Sequence, residues 1–147
     1  MIGVEEIVLK DAIYISRNKN EIEVDKVILL LRQTDWACDR AEEEIIKSIT
    51  NSTCYFICRG KELIGFARII TDFVTTFYLM DVIIDETYRG KGLGKRLMNE
   101  IMEDVGDLYG ILHTNSAQRF YESYGFKITS TSSAGESIME KKKGMKS

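Results

Sequence analysis

Apolar residues are concentrated in four segments whose lengths are typical of strands. AIYIS, at 12–16, alternates with polar positions, and TCYFIC, ELIGFARII and FYLMDVII follow in the middle of the chain. The connections RGK and TDFVTT between the last three segments are short. Connections of that length join neighbouring antiparallel strands. The pattern therefore predicts one early strand and, later, a three-stranded antiparallel meander.

Apolar spacings of three and four residues predict helices on both sides of the meander. The first helix is expected to be capped by Asp25, and the second by Asp39 with Glu42 as a capping box. A third helix is predicted over about 94–105, and Ser116 is expected to cap a short fourth helix. The predicted order is therefore two helices before the meander and two after it.

The segment YGILHT predicts a strand parallel to FYLMDVII, because the helix at 94–105 provides the crossover that parallel strands need. FKITST is expected to close the ordered pattern, and the basic tail EKKKGMKS is expected to fray. No repeat or linker interrupts the 147 residues. We therefore predict a single α/β domain of the α+β type over 1–147, in which the meander precedes a β-α-β crossover.

Composition and charge exclude several classes of function. A formal net charge of −3 argues against a general nucleic-acid binder, and no apolar run approaches the ~20 residues of a membrane span. The N-terminal MIGVEEIVLK carries early acids, so it is not expected to be a secretory signal. The three cysteines and the single histidine lack metal-ligand spacing. We interpret the cysteines as reduced thiols and expect a cytoplasmic protein without a metal.

The segment YRGKGLGKRL, at 88–97, places three glycines at the predicted strand-to-helix turn. Its bases are Arg89, Lys91, Lys95 and Arg96, although the first turn of a helix favours acids. A bound polyphosphate would remove the repulsion, and a tight turn with a solvated basic surface is an equal alternative. The segment fits neither the Walker nor the Rossmann spacing of glycines.

Two motifs together carry a family resemblance. Arg89-Gly90-Lys91-Gly92-Leu93-Gly94 matches the pattern R/Q-x-x-G-x-G/A, and AQRFYESYGF, about thirty residues later, matches A-x-x-φ-Y-x-x-x-G-F. The chain thus resembles the GNAT superfamily of N-acetyltransferases. The segments YIS, TDWACDR and GFARIITD resemble a small single-domain bacterial branch of it. The resemblance implies the GNAT fold, a mixed central sheet of about six to seven strands with about four helices.

The resemblance also implies how acetyl-CoA is held. Backbone amides of the glycine loop would bind its pyrophosphate, and backbone N–H groups of 82–84 would bind the thioester carbonyl. The strand YGILHT would splay from FYLMDVII where the cofactor enters. Thr114 occupies a position at which many relatives carry asparagine, so Asn115 is the expected substitute. The implied cofactor-binding residues are Val82, Ile83, Ile84, Arg89, Gly90, Lys91, Gly92, Leu93, Gly94, Lys95, Asn115 and Tyr121.

Two residues are candidates for catalysis. Tyr121, the signature tyrosine, is expected to protonate the departing CoA thiolate, since a phenol stays protonated at neutral pH. Asp81 lies inside an apolar strand, where a lone carboxylate is costly to bury. It either accepts the proton of the amine or anchors a cationic substrate, or it pairs structurally with Arg68 or with backbone amides; these hypotheses are about equal.

Four residues are candidates for an acceptor pocket, namely Trp36, Arg68, Phe73 and Tyr78. Taken singly, each of the three aromatic residues is better explained by core packing, and Arg68 is better explained by its pairing with Asp81. The single histidine, His113, is interpreted as structural.

The predicted function is direct acetyl transfer from acetyl-CoA to a primary amine of a small molecule, amino acid or peptide. The alternative is a silent module that binds CoA or acyl-CoA as a sensor or structural ligand. Many proteins of this fold dimerise, so the resemblance leaves a homodimer open.

Overall fold

The computed structural model describes residues 12–144. The N-terminal MIGVEEIVLK, on which the expectation about a secretory signal rests, lies outside the described residues, as does the end of the basic tail. No helix in the described range is long and apolar enough to cross a membrane.

The described chain forms four α-helices and seven strands, with two one-turn 3₁₀ helices at Lys19–Glu21 and Glu86–Tyr88. The helices are α1 Val24–Leu31, α2 Glu42–Thr50, α3 Leu93–Val105 and α4 Gln118–Glu122. The strands are β1 Ile13–Ser16, β2 Thr53–Arg59, β3 Glu62–Thr71, β4 Thr76–Ile84, β5 Tyr109–Thr114, β6 Lys127–Thr131 and β7 Ser137–Lys141. The predicted meander, crossover helix and parallel strand are all confirmed.

The strands form one mixed sheet in the order β1-β2-β3-β4-β5-β7-β6. β1 pairs antiparallel with β2, β5 and β6 each pair antiparallel with β7, and β4 pairs parallel with β5. The parallel pair needs the crossover through α3 that the sequence predicts. The predicted sheet of about six to seven strands in a mixed arrangement is therefore confirmed.

The last strand, β7, differs from the sequence prediction. We expected 140–147 to fray, but Glu140 and Lys141 belong to β7, which inserts between β5 and β6. Lys141 is fully buried, and its ammonium donates a hydrogen bond to the carbonyl of Gly106. That partner lies 35 residues earlier in the chain, so local charge patterning does not reveal the strand.

The predicted side-chain caps are wrong. The N-cap residues of α1, α2 and α4 are Glu23, Ala41 and Ala117, and none of them makes a side-chain cap hydrogen bond. Asp25 instead lies within the first turn of α1, where a carboxylate still complements the helix dipole. Before α4, the hydroxyl of Thr114 rather than that of Ser116 accepts a hydrogen bond from Ala117 N, at 3.1 Å.

The described chain divides into two compact units, 12–68 with 81–97 and 69–80 with 98–144. In the first unit, an apolar core joins α1 and α2 to β2 and β3 through residues such as Leu31, Ile45 and Phe56. In the second unit, Phe77 packs edge-on against Phe126, with ring centroids 6.1 Å apart. Gly110 is required beside Phe77, because a Cβ there would lie 2.4 Å from a ring carbon.

Candidate functional site

The glycine loop of the first unit joins β4 to α3. Its backbone takes the left-handed conformation at Gly90 and at Gly92, each with a φ of 79°. A Cβ added at either glycine would meet no atom within 4 Å, so both positions face open space. Glycine is favoured at such angles, and the space leaves the backbone open to a close ligand. The first turn of α3 contains no acid, so its partial positive charge is not compensated there.

The turn that leads into the loop is held by Asp85. Its carboxylate accepts hydrogen bonds from the backbone N–H and the hydroxyl of Thr87, at 2.9 and 2.8 Å. The bond from the Thr87 N–H lowers the pKa of Asp85. Asp85 N in turn donates to Ile64 O on β3, at 2.8 Å. The loop therefore starts from a fixed point at the end of β4.

Three of the four predicted bases contact the protein itself. Arg89 Nε donates to Ile84 O at 3.1 Å, and Arg96 Nη2 donates to Ile13 O at 3.3 Å. The Lys91 ammonium lies 5.2 Å from the centroid of the Tyr88 ring. Arg89, Lys91, Lys95 and Arg96 are all exposed, so the loop carries an accessible positive charge.

The strand before the loop alternates in burial. Ile83 is buried in the apolar core of the first unit, whereas Val82 and Ile84 are half-buried. On the Ile84 side, a Cβ added at Gly65 of β3 would lie 2.9 Å from Ile84 Cδ1. The absent side chain at 65 thus lets Ile84 pack directly over the neighbouring strand.

Asp81 is the centre of a buried ionic cluster in the first unit. It is 1% exposed, and its Oδ2 lies 2.9 Å from Arg68 Nε and 3.2 Å from Arg40 Nη1. Trp36 Nε1 donates to its Oδ1 at 3.1 Å, and Arg68 also donates to Ser52 Oγ at 3.0 Å. Burial alone would raise the pKa of Asp81, but the bonds and charges of Arg68 and Arg40 hold that pKa below its usual range.

The ionic cluster brings together three residues that the sequence singled out separately, Trp36, Arg68 and Asp81. The pairing of Asp81 with Arg68 matches the structural alternative, and the role of Asp81 as a base remains a prediction. Arg40 is a member that sequence reasoning missed, and its separation of 41 positions from Asp81 leaves no local signal. Trp36 is 54% exposed, so its interpretation as core packing is wrong.

The second unit holds the other two pocket candidates. Phe73 lies at the β3–β4 turn, is 53% exposed and has a φ of 61°, so core packing is wrong for it as well. The Asp72 carboxylate holds that turn through the backbone N–H groups of Val74 and Thr75. Tyr78 is half-buried and stacks on His113, with ring centroids 5.8 Å apart and planes 12° apart.

Tyr121 also lies in the second unit, in α4. It is 9% exposed and packs edge-on against Phe120 and Phe126. Burial raises the pKa of its phenol to about 12. Asn115 is exposed, and its backbone carbonyl accepts a hydrogen bond from Gln118 Nε2. The part of the chain that the structure describes contains no group of three or more His, Cys, Asp or Glu residues that could hold a metal ion.

A mixed sheet with a β-α-β crossover and a basic, glycine-rich loop before the crossover helix is an arrangement that suits an anion. Comparison with known protein families identifies the family of this chain. Residues 50–128 match the family model described as an acetyltransferase (GNAT) domain. The chain therefore belongs to the GNAT acetyltransferase family, as the two motifs indicate.

Individual relatives agree with this assignment. A GNAT-family protein from Xanthomonas campestris has a crystal structure that superimposes with a TM-score of 0.73, at 30% identity, covering 79% of this chain and 84% of that one. The PaiA N-acetyltransferase of Thermoplasma acidophilum, solved with coenzyme A, gives a TM-score of 0.65 at 23% identity, covering 89% and 99%. The latter likeness shows the fold alone.

A curated relative shares only part of its length with this chain. The chloroplastic GCN5-related N-acetyltransferase 2 of Arabidopsis thaliana is 32% identical over 72 residues. That match covers 46% of this chain and 28% of the Arabidopsis protein.

Proposed function

We propose that this protein transfers an acetyl group from acetyl-CoA directly to a primary amine of a small molecule, amino acid or peptide. The observation that carries the proposal is the glycine loop, in which Gly90 and Gly92 are left-handed and face open space before a basic helix start. Backbone N–H groups in such a turn, together with the dipole of α3, suit a pyrophosphate. PaiA, a protein of the same fold, was solved with coenzyme A.

The roles of the remaining cofactor residues follow from the proposal. The backbone of the loop from Arg89 to Lys95 would hold the pyrophosphate, with the exposed bases adding charge. The backbone of Val82–Ile84 would donate to the thioester carbonyl, which becomes more negative as the amine attacks. Asn115 would contribute a polar group at the end of β5. No metal takes part in this scheme.

The chemistry needs a proton for the departing thiolate. Tyr121 is the proposed donor, because its phenol remains protonated far above neutral pH. The attacking nitrogen loses a proton as the C–S bond breaks. The phenol can therefore give its own proton to sulfur and take the proton that nitrogen loses, which restores the phenol. Direct transfer of this kind needs no acyl-enzyme intermediate.

The acceptor side would involve the ionic cluster. Trp36 is exposed while its indole nitrogen is fixed by Asp81, so it can present an oriented aromatic surface to a substrate. Arg68 is buried and holds Asp81, which makes it a support rather than a contact. Phe73 and Tyr78 remain proposed pocket residues of the second unit.

The proposal is tested by two measurements on the same preparation. Isothermal titration calorimetry with acetyl-CoA and with CoA measures binding, and a thiol assay measures CoA release over polyamines, aminoglycosides, amino acids and short peptides. We expect binding and a release of CoA that depends on the amine, with mass spectrometry showing one added acetyl group. Tight binding without any amine-dependent release would instead support the silent CoA-binding module, and no binding would overturn both.

A further inference from the structure

The imidazole of His113 is part of a small polar cluster in the second unit. Its Nδ1 lies 3.1 Å from Glu136 Oε1, and Tyr78 stacks on its ring. Glu136 lies just before β7 and Tyr78 on β4, so residues from both sides of β5 hold the ring. The His113 side chain is 36% exposed, which leaves it accessible to a solute.

His113 also occupies a distinct point on its strand. β4 and β5 pair in parallel from Thr76, which lies opposite Tyr109, to Leu79, which lies opposite Leu112. His113 is therefore the first residue of β5 beyond that register, and on its other side it pairs with Ile138 of β7. A side chain at this point lies where β5 stops sharing hydrogen bonds with β4, eight residues before Tyr121.

We propose that His113, oriented by Glu136, rather than the buried Asp81, is the general base that removes a proton from the acceptor amine, an inference that rests on the proposed acetyl transfer. A hydrogen bond from Nδ1–H to the Glu136 carboxylate leaves the lone pair of the neutral ring on Nε2. The pair has the arrangement of a base and the group that orients it. Glu136 acts through His113 and is therefore a positioning residue.

The proton balance of the reaction then closes. An ammonium proton of the acceptor passes to Nε2 of His113, and the free amine attacks the thioester carbon to form a C–N bond. The C–S bond breaks, and sulfur takes a proton from Tyr121 while the nitrogen returns one to the phenolate. The imidazolium faces the Glu136 carboxylate and then releases its proton to water. The products are the amide, CoA thiol and one proton.

Two titratable side chains contact the His113 ring. In the described structure, the titratable groups facing His113 are Glu136 from the β6–β7 segment and Tyr78 from β4. Burial, and then the charge of Glu136, raise the pKa of Tyr78, so its phenol keeps its proton near neutral pH.

The kinetic test uses the whole chain, acetyl-CoA and an amine that releases CoA in the screen above. We expect His113→Gln to lower kcat near neutral pH by about 10²–10⁴-fold, the usual effect of losing a general base, with unchanged acetyl-CoA affinity. The loss of kcat should become smaller as the pH approaches the pKa of the amine, because free amine then forms in solution. Tyr109→Phe is the control, since it removes a hydroxyl of β5 that bonds Glu140 of β7 and leaves both the imidazole and Glu136 intact.

The single histidine of the chain allows an independent readout by NMR. The midpoint of the acid limb of kcat/KM should coincide with the midpoint of the imidazole titration, and both should move together in Glu136→Gln. A His113→Gln variant within threefold of wild type, or an acid limb that does not follow the imidazole in Glu136→Gln, would overturn the base while acetyl transfer stands. A wild-type protein that releases no CoA with any amine would overturn the transferase proposal and this inference together.

Discussion

At the residue scale, the environment of Tyr121 is apolar rather than charged. Its ring contacts Phe120 at 5.1 Å and Phe126 at 6.2 Å between centroids, and burial raises the pKa of its phenol to about 12. A phenol in this setting is held in place by packing and keeps its proton well above neutral pH. Both properties suit the proposed proton donor. The packing should also keep the ring in place when the hydroxyl is removed.

We expect Tyr121→Phe to lower kcat by about 10²–10⁴-fold, with little change in acetyl-CoA affinity, because it removes one oxygen and preserves the ring. Tyr124→Phe is the matched control, since it removes the same atom from the buried tyrosine three residues later. Steady-state kinetics and calorimetry on both variants make the comparison. Activity of Tyr121→Phe close to that of wild type, with chemistry rate-limiting, would return Tyr121 to a packing role.

At the scale of elements, the loop between β4 and α3 allows the effect of backbone strain and the effect of charge to be measured separately at Gly92. Gly92 has a φ of 79°, an angle that strains most side chains, and open space lies where its side chain would be. Asparagine and aspartate both tolerate this conformation better than other residues and have nearly the same shape. They differ in charge, which makes them a matched pair.

We expect Gly92→Asp to abolish acetyl-CoA binding in calorimetry, because it places a negative charge at the proposed pyrophosphate site. Gly92→Asn should weaken binding far less, and circular dichroism should show both variants folded. Added salt should weaken wild-type binding, since exposed charges such as Arg89 and Lys95 are screened. Equal affinity of the aspartate and asparagine variants would remove the anion-binding interpretation of the loop.

At the scale of the whole molecule, the ionic cluster around Asp81 links folding to pH. The folded state holds the pKa of Asp81 below its usual range, so its stabilisation is complete above the pKa of the unfolded chain, near 3.9, and is lost as the pH falls through the lower, folded value. Removing one partner of such a buried pair typically costs about 3–5 kcal/mol, since the other charge is left unpaired.

We therefore expect Asp81→Asn to lower the Tm at pH 7, and the difference from wild type to shrink below about pH 4 as wild-type Asp81 becomes protonated. Thermal melts of both proteins at several pH values measure this. Other acids with lowered pKa values, such as Asp85, affect the Tm of both proteins equally, so the difference in Tm reports on Asp81. A fully stable variant that loses turnover would instead favour the catalytic hypothesis, and one that is stable and fully active would contradict both.

Local patterns in the sequence determined the meander, the crossover helix, the glycine loop and the family. Each depends on residues close together in the chain, and the left-handed angles at Gly90 and Gly92 are preferences that glycine carries by itself.

Only the tertiary structure decided the helix caps, the place of β7 and the partners of the charged groups. Thr114 rather than Ser116 accepts a hydrogen bond from Ala117 N at the start of α4, Arg40 joins Asp81 from 41 residues away, and Glu136 meets His113 from 23 residues away. Chain folding sets these distances, and a buried polar group takes whichever partner the fold brings within reach. The physical reason is that hydrogen bonds and ion pairs act over a few ångströms of space, whereas sequence patterns report only neighbours along the chain.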